Sequence, residues 1–104
     1  MAKLKLNPDP TFKAKVRISV AGADEPVEVE FTFKHRTKDE LQKFIEASAS
    51  REDADNVLEM ASGWELADAF TREAVDVLAQ NYITAPRAIF DRYIDELVKA
   101  REKN

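Results

Sequence analysis

The chain has no cysteine, only two glycines, one histidine and one tryptophan in 104 residues. The missing thiols exclude disulfides, thiolate nucleophiles and most structural zinc sites. Two glycines, Gly22 and Gly63, are too few for a phosphate-cradling loop or a dinucleotide fingerprint, so no nucleotide cofactor is expected. The lone histidine, His35, sits between Lys34 and Arg36 with no acidic or thiol companion at the spacing of a triad or a zinc site. It reads as an ordinary strand-end residue. No apolar run approaches the roughly 18–20 residues of a membrane span. The opening "MAKLKLNPDP" has lysines but no apolar stretch after them, so it does not read as a signal peptide. A cytoplasmic protein is the resulting expectation.

Basic residues are the minority, 16 against 20 acidic, for a net charge of −4. A nucleic-acid binder carries a basic face, and the one basic cluster, Lys34–Arg36, is followed at once by Asp39 and Glu40. Neither nucleic acid nor membrane is expected as a partner. With 44% hydrophobic and 35% charged residues, the composition is that of one globular domain over residues 1–104.

The first third alternates. In "FKAKVRISV", Phe12, Ala14, Val16, Ile18 and Val20 share a face opposite Lys13, Lys15 and Arg17. In "VEVEFTFKH", Val27, Val29, Phe31 and Phe33 lie opposite Glu28, Glu30 and Thr32. Period two with β-branched and aromatic residues predicts two strands, and "AGADEP" supplies the turn. Pairing Val20 with Val27 sets Ile18 opposite Val29, Arg17 opposite Glu30 and Ser19 opposite Glu28, a register favoured by opposite charges. "AKLKL" at residues 2–6 also alternates and supplies a candidate third edge strand.

Helical patterns follow. Thr37 with Glu40 forms a capping box ahead of Leu41, Phe44 and Ile45. Ser50, with Glu52 and Asp53, predicts the cap of a second helix carrying Val57, Leu58 and Ala61, which Gly63 ends in a left-handed conformation. Thr71 caps a third helix with Val75, Leu78, Ala79 and Tyr82 in line. Thr84 and Pro86 start a fourth, to about Lys99, with Ile89, Phe90, Tyr93, Ile94 and Leu97 on one face. The expected class is α+β, a hairpin packed against about four helices.

No catalytic constellation emerges. Asp68, between Ala67 and Ala69, is the best-placed carboxylate for general acid–base work, but its simpler reading is a loop or capping residue. Most aromatics fall at inward-facing positions and read as core. Trp64 and Phe70 flank an irregular connection, where partner-binding residues gather. Trp64 is expected to be mainly core and Phe70 to be the more exposed.

"EFTFKHRTKDELQKFIE" and "SGWELADAFTREAVDVLAQNYITAPRAIFDRYIDELVKAR" resemble the tail assembly chaperones of tailed phages and prophages. The specific pieces are "FTFKH", "GWEL", "FTRE", "NY" and "AIF", in order from Phe31 to Phe90. Ala69 stands where members often carry proline before the phenylalanine, and "YITAP" where they tend to read "YPGAA". The resemblance implies a non-catalytic protein that binds the tape measure protein, keeps it soluble, and assists the tail tube protein in assembling around it. It implies action in the bacterial host cytoplasm, with a small structural tail or head–tail joining protein as the alternative. Candidate partner-binding residues are Phe70, Trp64, Leu66, Tyr82 and Phe90. Open hairpin edges make a homo-oligomer or strand addition plausible.

Overall fold

The alternation of the first third produces an antiparallel hairpin in the computed structural model, which describes residues 4–99. It is formed by β1 (Thr11–Ile18) and β2 (Val27–Lys34). Then come α1 (Lys38–Ser48), α2 (Asp53–Met60), β3 (Ala61–Trp64), α3 (Arg72–Asn81) and α4 (Ala85–Val98). Among the described residues the three strands form an antiparallel sheet in the order β1-β2-β3, and with the four helices they make an α+β arrangement.

The hairpin register differs from the expected one by two residues. Ile18 pairs with Val27, Val16 with Val29, Arg17 with Glu28 and Lys15 with Glu30. A two-residue shift preserves which side chains share a face, so Ala14, Val16, Ile18, Val29, Phe31 and Phe33 are still buried together. It also sets two pairs of opposite charges directly across from each other, Arg17 with Glu28 and Lys15 with Glu30. The cause lies in the connection, where Ala23 N–H donates to the Val20 carbonyl at 3.0 Å and Gly22 takes φ +84°. That is a tight turn needing a left-handed residue at its third position. Val20 is thereby drawn out of the ladder.

The third strand is not the N-terminal one. Leu4–Leu6 form no strand and both leucines are exposed, while Ala2 and Lys3 lie outside the described residues. The place is taken by "ASGW", where Phe31 pairs with Trp64, Thr32 with Gly63 and Phe33 with Ala61, leaving Ser62 as a bulge. Gly63 therefore does not terminate α2 in a left-handed turn, since Gly22 is the positive-φ glycine among the described residues. Ala61, expected in the second helix, is already extended at φ −129° and ψ 155°. The last carbonyls of α2 are capped instead by side chains from β2 and its sequel. Lys34 Nζ donates to Leu58 O at 2.9 Å, and Arg36 Nη1 donates to Glu59 O at 2.6 Å. Cations at a helix C-terminus suit its partial negative charge.

Thr37 and Thr71 cap α1 and α3 through their hydroxyls, and the Thr37–Glu40 capping box is complete. Ser50 does not cap α2. Its hydroxyl donates to Ala47 O at 3.1 Å, where the end of α1 leaves a carbonyl free, and Glu52 takes the cap position while its carboxylate accepts from Arg72 rather than from the helix backbone. Thr84 starts α4 without using its hydroxyl, with Pro86 in the first turn, and the helix ends at Val98 with Lys99 in a left-handed cap. The core joins one face of the sheet to α2 and α4 through Phe31, Phe33, Met60, Val57, Ile89 and Tyr93, all fully buried. Each such side chain contributes about 1.5–3 kcal/mol. The opposite face of the sheet, with Lys13, Lys15, Arg17 and Glu28, is exposed.

Candidate functional site

The short length of β3 makes the site. β2 is eight residues long, but β3 pairs with it only from Phe31 to Phe33. Glu65 extends this by one step, donating its N–H to Glu30 O at 3.0 Å while its carboxylate accepts from Glu30 N–H at 2.8 Å. The chain then leaves the sheet. Ile18, Val20, Val27 and Val29, at the turn end of the hairpin, therefore have no third strand beside them. α3 packs chiefly on α2 and stands across from this apolar end rather than closing on it.

A groove of about 490 Å³ remains between them. The sheet side is Ile18, Val20, Val27 and Val29; the helix side is Ala74, Val77, Leu78, Asn81 and Tyr82; Trp64, Leu66, Ala67 and Asp68 complete it. The lining is aliphatic and aromatic apart from Asp68 and Asn81. Val27 is 51% exposed, Val77 57% and Tyr82 37%, so its rim offers apolar surface to solvent. Isolated exposed apolar residues are ordinary, but a contiguous set around a concavity is a recognition feature.

Trp64 holds one wall in place. Its indole N–H donates to the Asp68 carbonyl at 2.8 Å, pinning the loop that follows β3. Its ring meets Phe70 edge-on at 5.1 Å and Phe31 at 6.0 Å. Trp64 and Phe70 are both half-buried, so neither is plain core nor freely exposed. Of the five partner-binding candidates, Trp64, Leu66 and Tyr82 line the groove, and Phe70 buttresses it through the indole. Phe90 does not join them. Its ring lies tilted 6.1 Å from that of Phe44, and it lines a separate cleft with Asn56, Met60 and Ile83.

Val27 and Val77 also line the groove. Val77 is one residue out of phase with the Val75–Leu78 stripe of α3, and an apolar residue on the outward face is its signal in the sequence. Val27 continues the β2 alternation, but it falls at the strand end and is left half exposed.

Asp68 lies in the loop, and its contribution to the frame is the backbone carbonyl that receives Trp64. His35 lies at the opposite end of β2 and donates its backbone N–H to Pro10 O at 2.8 Å. Among the described residues no three His, Asp or Glu side chains gather as a metal would require. Three frame contacts perturb titration. Hydrogen bonds from Thr37 hold the Glu40 carboxyl below the usual range, the hydrogen bond from Arg72 does the same for Asp55, and burial pushes the Tyr93 phenol up.

The whole chain, residues 1–104, matches a family model described as phage tail assembly chaperone. No curated protein and no solved structure matches. No helix of the described residues is long and apolar enough to cross a membrane.

Proposed function

We propose, from the premise that this chain belongs to the phage tail assembly chaperone family, that it shelters apolar helical segments of the tape measure protein in the groove between the hairpin and α3. The observation that carries this reading is the exposed apolar rim of Val27, Val77 and Tyr82 around an aliphatic concavity. An amphipathic helix binds such a groove through side chains repeating every three to four residues, leaving its polar face in water. The net charge of −4 keeps a complex with an apolar client dispersed.

In this reading the chain acts as one non-catalytic domain in the bacterial host cytoplasm, stoichiometrically and without a cofactor. Delivery of the loaded tape measure protein to tail tube subunits follows from the same role. Trp64 and Leu66 shape the groove, while Tyr82, Val77 and Val27 meet the client directly.

Co-expression with a tape measure protein from the same phage or prophage genome tests it. The expected result is that the client is soluble and co-purifies with the wild-type chain, and is insoluble with Val77→Asp or Tyr82→Asp. A client equally insoluble with and without the chain sinks the proposal. Recovery of the chain from mature virions would point instead to a structural tail or head–tail joining protein.

A further inference from the structure

The groove leaves one conspicuous feature unused, the outer edge of β1. His35 N–H bonding to Pro10 O makes Pro10 and His35 a hydrogen-bonded pair, and antiparallel pairs alternate from there. Phe12–Phe33, Ala14–Phe31, Val16–Val29 and Ile18–Val27 are thus the bonded pairs. The N–H and C=O groups of Thr11, Lys13, Lys15 and Arg17 point away from β2. Among the described residues no other backbone group bonds to β1. The side chains of these four residues are also exposed, on the uncovered face of the sheet.

We infer that this edge accepts an extended acidic–apolar segment of a partner protein as a fourth strand. The occupant is indicated by charge. A second copy of β1, added antiparallel, would set Lys13 against Arg17 and Lys15 against itself, or another basic residue, and like charges directly opposite are unfavourable. The strand that β1 does accept within the molecule reads Val27-Glu28-Val29-Glu30, with Glu28 opposite Arg17 and Glu30 opposite Lys15. A segment of the same pattern on the free side meets the same lysines and arginine with carboxylates. Its alternate apolar residues fall on the face that α4 covers at β1. Main-chain bonds supply affinity in such strand addition, and the alternating side chains supply selection. The inference is independent of the groove.

Fluorescence anisotropy with the full chain and the labelled, end-blocked heptapeptide TVEVEVT tests this, with TVKVKVT as the control. Saturable binding of the glutamate peptide is expected, weakening as salt is raised, with no binding of the lysine peptide over the same range. Lys15→Pro removes one outward N–H without touching the β2 ladder, a place where proline is tolerated. It should weaken binding by roughly tenfold, and Lys15→Ala by only about twofold to threefold. Lys13→Glu combined with Arg17→Glu, which leaves every backbone bond, should reverse the preference between the two peptides. Val77→Asp should leave peptide affinity unchanged. Equal binding of both peptides, absence of binding, or no effect of the charge reversal in a folded chain overturns the inference. Concentration-dependent dimerisation abolished by the charge reversal or by Lys15→Pro would assign the edge to a second copy, and overturns it too.

Discussion

The Tyr93 hydroxyl donates to the Lys34 carbonyl at 2.7 Å, tying the middle of α4 to the last residue of β2. The same oxygen accepts from Arg36 Nη1 at 2.9 Å, and Arg36 also pairs with Glu59 at 3.0 Å while lying 4.7 Å over the Phe44 ring. One buried phenol therefore joins the sheet, the end of α2 and the aromatic side of α1. Tyr93→Phe keeps the ring and leaves the Lys34 carbonyl without this donor. The expected loss is about 1–3 kcal/mol, read as a lower urea midpoint with an unchanged slope.

Burial raises the Tyr93 pKa above that of the unfolded chain, so the neutral phenol is the form the fold favours. With a folded pKa above the unfolded value of about 10, the stabilisation is complete below that pH and is lost as pH rises through the folded pKa. The wild-type melting temperature should therefore fall more steeply than that of Tyr93→Phe at alkaline pH. Parallel curves for the two proteins would mean that the phenol ionises as freely in the fold as outside it.

The two glycines should respond in opposite ways. Gly22 sits at φ +84°, and Gly22→Ala forces a side chain into the left-handed region at a cost of about 1–2 kcal/mol. Gly63 is extended in β3, and a Cβ there would meet the Thr32 side chain at an ordinary 3.9 Å. Gly63→Ala should be neutral or stabilising by about 0.4–1 kcal/mol through the unfolded chain. Thermal melts decide both, and a large loss at Gly63 would contradict the strand assignment.

Wall and rim of the groove should separate. Trp64→Ala removes the ring contacts with Phe31 and Phe70 and the bond to Asp68, with an expected loss of about 3 kcal/mol. Val77→Asp, on the exposed face of α3, should change stability by no more than about 0.5 kcal/mol. If Val77→Asp lowers the melting temperature as far as Trp64→Ala does, Val77 is core and not a contact surface.

Much of this was legible in particular residues. The parity of Ala14, Val16 and Ile18 against Val29, Phe31 and Phe33, the caps at Thr37 and Thr71, and the stripe through Ile89 and Tyr93 all follow from patterns within single segments. The groove was less visible. Trp64 stands out for its irregular surroundings and Tyr82 for its place on the α3 stripe, but nothing local indicates that they and Leu66 converge with Val27 and Val77, which come from β2 and α3. Phe90, on the apolar face of the fourth helix, lines another cleft.

The sequence by itself determined which side of each segment is apolar, because side-chain direction repeats with the backbone's own period of two or about 3.6. It also determined where helices α1 and α3 begin, since a threonine hydroxyl reaches amide groups two or three residues away. Only the tertiary structure decided that "ASGW" is a strand. Four residues without alternation have no local reason to extend. They do so because β2 offers unpaired backbone groups along its second edge, and because Lys34 and Arg36 end α2 beside them. The two-residue shift of the hairpin and the opening between its tip and α3 have the same origin. They depend on free energies shared between residues far apart in the chain, which no local pattern records.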